Sequence, residues 1–173
     1  MPSGAAASSE SLRPKVGIAA IIVNGSGEIL VGERKGSHGA GTIALPGGHL
    51  EPNESFATCA EREVLEETGL GTTGLSQVAL TNDIFVNEGK HYITIFVVCR
   101  MNDPKAEPQV LEVNKCNWWR WKKWNWLQGV LEGKGEGEKG EVKLFLPMVN
   151  LLREYPNIGE MVGEAVKQPN VKR

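Results

Sequence analysis

No apolar run among the 173 residues approaches the roughly 18 that a membrane-crossing helix requires, so no spanning helix and no membrane partner are expected. Residues 1–13 lack the apolar stretch of a secretory leader and read as a disordered lead. Neither sign of charge dominates. The formal net charge is −2, which supplies no broad basic field to hold a nucleic-acid polymer. An anionic small molecule would therefore have to be met locally, by a metal ion or a few cations. Cysteine is scarce: Cys59, Cys99 and Cys116 are an odd, scattered three that match no zinc spacing, so free thiols in a reducing compartment are expected rather than disulfides. No internal repeat is visible. These absences leave an ordinary cytoplasmic protein of one domain, expected over residues 14–158, with a flexible tail over 159–173.

What is present begins with Val16–Val23, a near-continuous apolar run that predicts a strand buried on both faces. Asn24-Gly25-Ser26-Gly27 is a turn signal, and the alternation of Glu28–Arg34 makes the pair a hairpin. A glycine-containing loop (Gly36–Gly41), a short apolar stretch (Thr42–Leu45) and the break Pro46-Gly47-Gly48 follow. Glu54–Thr68 are good helix formers, with Asn53 as the expected N-cap and Gly69 as the stop. Further strands are expected at Gln77–Val86, His91–Arg100 and Cys116–Trp121, and a second helix at Leu144–Leu152. Between Leu131 and Glu141 the glycines and charges have no apolar anchors, so a flexible surface loop is expected. Strands on either side of a central helix make the fold class α+β.

The helix at 54–68 carries the chemistry. At about 100° per residue, Glu63, Glu66 and Glu67 share one side, while Ala57, Ala60 and Val64 form an adjacent apolar stripe. Three carboxylates beside a core repel one another and call for a cation, and hard oxygen ligands suit Mg²⁺. A solvated acidic helix face is the plainer reading of EREVLEE, but it leaves unexplained the Gly-Gly turn before the helix and Arg62 among the glutamates.

Gly48, Glu54, Arg62-Glu63, aliphatic Val64, Glu66-Glu67, Gly69 and aliphatic Leu70 stand at the spacing of a Nudix box, and on these positions the chain resembles the Nudix hydrolases. The resemblance implies the Nudix fold, a mixed β-sheet core between α-helices with the box as a loop–helix–loop. It implies Glu63 and Glu67 as metal ligands, Glu66 as a ligand or close neighbour, and the Gly47 carbonyl as a further ligand. The metal would be Mg²⁺, with Mn²⁺ as a substitute. Gly48, Glu54, Arg62 and Gly69 would be structural, with Arg62 orienting box carboxylates such as Glu54.

Beyond the box the resemblance extends over about residues 16–152 and is strongest to the eukaryotic nucleotide-pool-cleaning branch, plant members included. That branch implies a base pocket built partly from Arg34, Leu45, Thr94, Phe145 and Leu146. It implies hydrolysis of a (deoxy)nucleoside triphosphate, including oxidised or modified bases, to monophosphate and pyrophosphate by a homodimer. Relatives also act on dinucleotides, isoprenyl diphosphates or nucleotide sugars, and an idle domain that senses nucleotide is a remoter alternative. Glu66 or Glu112 is the candidate general base; Glu112-Val113-Asn114-Lys115 stands where relatives usually have Glu-Pro-Glu-Lys. Ala44 stands where a human member carries a polar amide. His49 is a phosphate contact, an acid, or a loop-packing residue, and Arg34 or Lys35 a phosphate contact. Trp118, Trp119, Trp121, Trp124 and Trp126 read first as packing, second as a stacking platform.

Overall fold

Val16–Val23 presents apolar side chains to both faces, and a strand of that kind belongs in the middle of a sheet. A computed structural model, describing residues 13–137 and 140–167, places it there as β1 (Lys15–Val23). β1 runs parallel to β6 (Lys90–Met101) along its whole length, from Lys15 opposite Tyr92 to Val23 opposite Arg100. Its far end starts the expected hairpin with β2 (Ile29–Arg34), joined at Val23 and Ile29. The rest of β1 does not continue that hairpin. Gly17–Ala19 pair instead with the short β4 (Gly47–His49), while β2 pairs with β3 (Thr42–Ala44) and β7 (Cys116–Lys122). The two strands therefore diverge from their shared end, and the fork between them is where the cleft described below opens.

β5 (Thr72–Phe85) closes one edge against β6, and β10 (Lys143–Leu144) the other against β3. Alternation along β1 and β6 sorts the core into two layers. Ile18, Ala20, Ile22, Val97 and Cys99 pack on α1 (Phe56–Thr68) through Cys59, Ala60 and Val64. Ile21, Phe96 and Val98 face the other way, onto α2 (Trp124–Leu131), α3 (Leu146–Glu154) and α4 (Ile158–Lys167). This is the α+β architecture expected, a mixed sheet between helices. No helix among the described residues is long and apolar enough to cross a membrane.

Five local readings differ. Asn53 is not the N-cap: it sits at φ 66 in the turn before the helix, and Ser55 caps, its Oγ accepting from the Thr58 amide at 3.1 Å. β5 begins at Thr72 rather than Gln77, its polar first half hidden from periodicity by two register shifts. The second helix starts at Leu146, because Leu144 is spent pairing with Ile43, and Pro147 falls in the first turn where no amide is needed. Residues 159–167, expected within a flexible tail, belong to α4, whose Ile158, Val162 and Ala165 are buried one turn apart against the sheet. The expected 131–141 loop includes two short strands, β8 (Glu136–Gly137) and β9 (Gly140–Glu141), which pair with each other. Residues 138–139 of that loop, like residues 1–12 and 168–173, lie outside the described residues.

Candidate active site

The turn into α1 is built around two glycines, the first closed to any side chain by backbone and the second by the carboxylate it faces. At Gly47, with φ 153, a Cβ would strike the Ile18 carbonyl of β1; at Gly48 it would strike the Glu63 carboxylate. The close approach lets α1 press its acidic side onto β4. Glu63 is 8% exposed, and Glu67 Oε2 accepts the Gly47 amide at 3.0 Å. Burial pushes the Glu67 carboxyl up to about 7; the Gly47 amide opposes this, and the charges of Glu63 and Glu112 reinforce it.

Arg62 organises the rest. Its Nε and Nη2 grip both oxygens of Glu54, at 2.7 and 3.0 Å, and Nη1 donates to Glu63 at 2.7 Å. Nη2 also donates to the His49 carbonyl at 3.2 Å, tying α1 to β4. This bidentate pair holds the Glu54 carboxyl down at about 2, a value set by Arg62 first and by the Glu51 amide second. Gly69 ends the helix in the left-handed region, its amide donating to Leu65. Glu66, in contrast, is half-exposed and reaches Arg62 only at 3.5 Å.

A cleft of about 400 Å³ lies in the fork between β1 and β2. Glu63, Glu67, Gly47, Gly48 and His49 line it, together with the cationic side chains of Arg34, Lys35 and Lys115. Of the residues named for a base pocket, Arg34, Leu45, Thr94 and Phe145 line the same cleft, as does Ala44; Leu146 does not, and Pro147 and Met148 of α3 do. Neither candidate base lines it. Glu112 sits beside it in an ion pair with Lys115 at 2.8 Å.

Three aromatic lining residues, Tyr92, Phe85 and His38, escaped sequence reasoning, and a fourth, Trp119, was read first as packing. Tyr92 was legible, since it lies two residues from Thr94 on β6 and so faces the same side. Phe85 ends β5 opposite Lys90, and His38 belongs to a loop without periodicity. Trp119 pairs with Gly32, whose missing side chain leaves room for the indole, and its Nε1–H donates to the Glu67 carbonyl at 3.3 Å. The other tryptophans pack against the two core layers, the reading preferred from sequence. All three cysteines are free and buried.

The model of the NUDIX domain matches residues 13–143. The chain belongs to the NUDIX family. It is 26% identical over 161 residues to an RNA pyrophosphohydrolase of Proteus mirabilis (strain HI4320), spanning 84% of this chain and 89% of that one. Among solved structures it is similar to a MutT NUDIX hydrolase from Burkholderia pseudomallei, at 28% identity and TM-score 0.57, over 64% of this chain and 83% of that one. A MutT protein from Methanosarcina mazei Go1 shares the fold at 23% identity and TM-score 0.60, over 90% and 98% of the two chains. The chain is thus a Nudix hydrolase, an enzyme acting on a pyrophosphate linkage.

Nudix hydrolases generally use a divalent metal such as Mg²⁺. Among the described residues, no three His, Cys, Asp or Glu side chains converge into a cage. The donor set nonetheless fits Mg²⁺, which takes one or two carboxylates and fills its remaining positions with water and substrate oxygens. Glu63 and Glu67 offer that pair. The cradle left by Gly48, and the burial that raises Glu67 with the Glu63 and Glu112 charges adding to it, both suit a cation.

Proposed function

We propose that the chain hydrolyses a nucleoside triphosphate, including forms with oxidised or modified bases, to nucleoside monophosphate and pyrophosphate. One observation carries this reading. A single cleft is lined both by the Glu63–Glu67 pair and by a wall of flat rings, His38, Phe85, Tyr92 and Phe145, with Arg34 stacked 4.2 Å above Phe145. The rings suit a planar base, and the carboxylates suit the metal that phosphates carry. The resemblance to the eukaryotic nucleotide-pool branch supports the same assignment.

In this reading Glu63 and Glu67 hold Mg²⁺, or Mn²⁺ in its place, and Arg62 fixes Glu63 through its grip on Glu54. A Mg²⁺ held there would supply charge neutralisation for phosphoryl oxygens and make water more acidic. The Gly47 amide and the Trp119 indole anchor Glu67 from both sides, at its carboxylate and its carbonyl. Arg34, Lys35 and Lys115 offset the substrate's negative charge. Glu66 or Glu112 takes a proton from the attacking water. E66Q and E112Q tell them apart, since loss of the base costs roughly 10² to 10⁴ in kcat. The protein acts as a cytoplasmic homodimer on a small molecule, without membrane or nucleic-acid polymer. The exposed Leu80 and Ile84 of the β5 edge, with Val86 just past its end, support self-association.

The test is a substrate panel with Mg²⁺, with Mn²⁺ and with EDTA: dGTP and base-modified analogues, a dinucleoside polyphosphate, a nucleotide sugar, geranyl diphosphate and 5′-triphosphorylated RNA. Metal-dependent turnover favouring the triphosphates supports the assignment. Preference for geranyl diphosphate or for the RNA would replace it, and binding without turnover would make the chain a sensor.

A further inference from the structure

The cleft has few side-chain groups with which to read a base edge, and two of them, Thr94 and His38, are each held from behind by a carboxylate. Thr94 Oγ1 donates to Asp83 Oδ2 at 2.6 Å. A hydroxyl has one proton, so once it is given to Asp83 the oxygen can offer the cleft only lone pairs. Asp83 is fully buried on β5 and also receives the Thr81 hydroxyl at 2.9 Å and the Asn150 amide at 2.8 Å. Three neutral donors, Thr81, Thr94 and Asn150, hold it, and a buried carboxylate met by neutral groups is an expensive arrangement to keep in a core unless its direction matters.

His38 shows the same logic in the loop after β2. Its Nδ1 is bonded to Glu88 Oε2, in the turn between β5 and β6, and Glu88 is held in turn by Lys90 at 3.0 Å. Rings of Phe85, Tyr92 and Phe145 pack around the imidazole, with centroids at 4.6, 6.0 and 5.2 Å. The loop itself is pinned by Arg34, whose Nε donates to the His38 carbonyl at 3.0 Å. A carboxylate partner demands the proton on Nδ1, which leaves Nε2 of the neutral ring as an acceptor. Burial lowers the His38 pKa below its ordinary 6.5, with Lys90 and Arg34 adding to the effect and Glu88 opposing it, so the ring stays neutral near pH 7.

We propose that Asp83 and Glu88 are positioning residues that lock Thr94 and His38 as hydrogen-bond acceptors, so that the pocket selects a head group presenting N–H donors on its edge. This rests on the nucleotide reading above for the identity of the head group. A base with adjacent imino and amino donors satisfies both acceptors. A base that turns a ring-nitrogen lone pair toward either one leaves two acceptors facing each other unpaired, which a water-poor pocket penalises.

Two measurements test this. The first needs no substrate: ¹⁵N NMR of the imidazole in the free protein is expected to show His38 protonated on Nδ1 and bare on Nε2, with the preference lost in E88Q. A ring protonated on Nε2 overturns the proposal. The second compares dGTP with dITP, which lacks the exocyclic amine, and with 1-methyl-dGTP, which lacks the imino proton. Each missing donor should raise KM roughly tenfold or more while kcat changes little. D83N can turn its amide toward Thr94 and so redirect the hydroxyl proton into the cleft; it should shrink that discrimination to about twofold. H38F keeps the ring contacts and loses the acceptor, so it should abolish the response to one donor only, and it serves should D83N fail to fold. Equal KM values across the three triphosphates in the wild type would overturn the proposal. A correct His38 tautomer in an enzyme that cleaves none of them would instead uphold the locked pocket and overturn the nucleotide reading.

Discussion

Glu67 is held by the fold at a cost, and removing its charge should make the metal-free protein more stable while disabling it. Burial raises its carboxyl from the ordinary 4.5 to about 7. A group raised in this way stabilises the folded state fully below pH 4.5, and the contribution is lost as pH rises through about 7. Each pH unit across that window is worth about 1.4 kcal/mol, and because Glu67 is only partly shielded from water, we take about 2 kcal/mol as the net penalty above pH 8. Glu67→Gln keeps the shape, and its amide oxygen can still accept the Gly47 N–H. For a domain of this size, about 2 kcal/mol corresponds to roughly 4–8 °C in Tm. With EDTA at pH 8.5, E67Q should therefore melt above the wild type by that amount, while at pH 4 the two should coincide. Added Mg²⁺ should lift the wild type and scarcely move E67Q, by mass action on the folded state. Turnover of E67Q in Mg²⁺ should fall at least about a hundredfold. An E67Q protein no more stable than wild type at pH 8.5 would refute the reasoning that this carboxylate is strained in wait for a cation.

Gly48→Ala should drive a methyl into the Glu63 carboxylate, lowering kcat at least about tenfold, with circular dichroism still showing a folded chain; an active G48A would mean the cradle is slack. The Glu54–Arg62 pair should support the fold above pH 4.5 and cease to do so as pH falls toward about 2, so the pH dependence of acid unfolding should shift in R62A. An unchanged acid limb would deny the pair its structural role. Light scattering should give about twice the 18.8 kDa chain mass, and a monomer at micromolar concentration would discard the dimer.

Much of this was legible because periodicity and sterics act locally. The near-continuous apolar run Val16–Val23 and the apolar-rich His91–Arg100 mark the two central strands, and a turn of about 100° per residue puts Glu63, Glu66 and Glu67 on one side of α1. What escaped reading depends on partners distant in the chain. β5 starts early because Gly74 packs against Ala57 and its amide donates to Glu61, contacts that no window around residue 74 contains. Residues 158–167 carry a clear apolar stripe, but so short a segment with two glycines is a marginal helix alone, and the sheet supplies the surface for Ile158, Val162 and Ala165. His38 and Glu88 lie fifty residues apart in loops, and their meeting is a property of the fold alone. Leu146 was displaced from the pocket for a related reason: α3 begins there, and the helical turn presents Pro147 and Met148 to the cleft instead.

The central claim is that one cleft places a base against aromatic rings and the α–β phosphate bridge at the Glu63–Glu67 pair. Holding reactants at a set spacing makes the point of cleavage strict. The direct test is chromatography of an early dGTP time course with Mg²⁺. The account predicts dGMP and pyrophosphate appearing together in equal amounts, with no dGDP at any time; accumulation of dGDP with inorganic phosphate would contradict it.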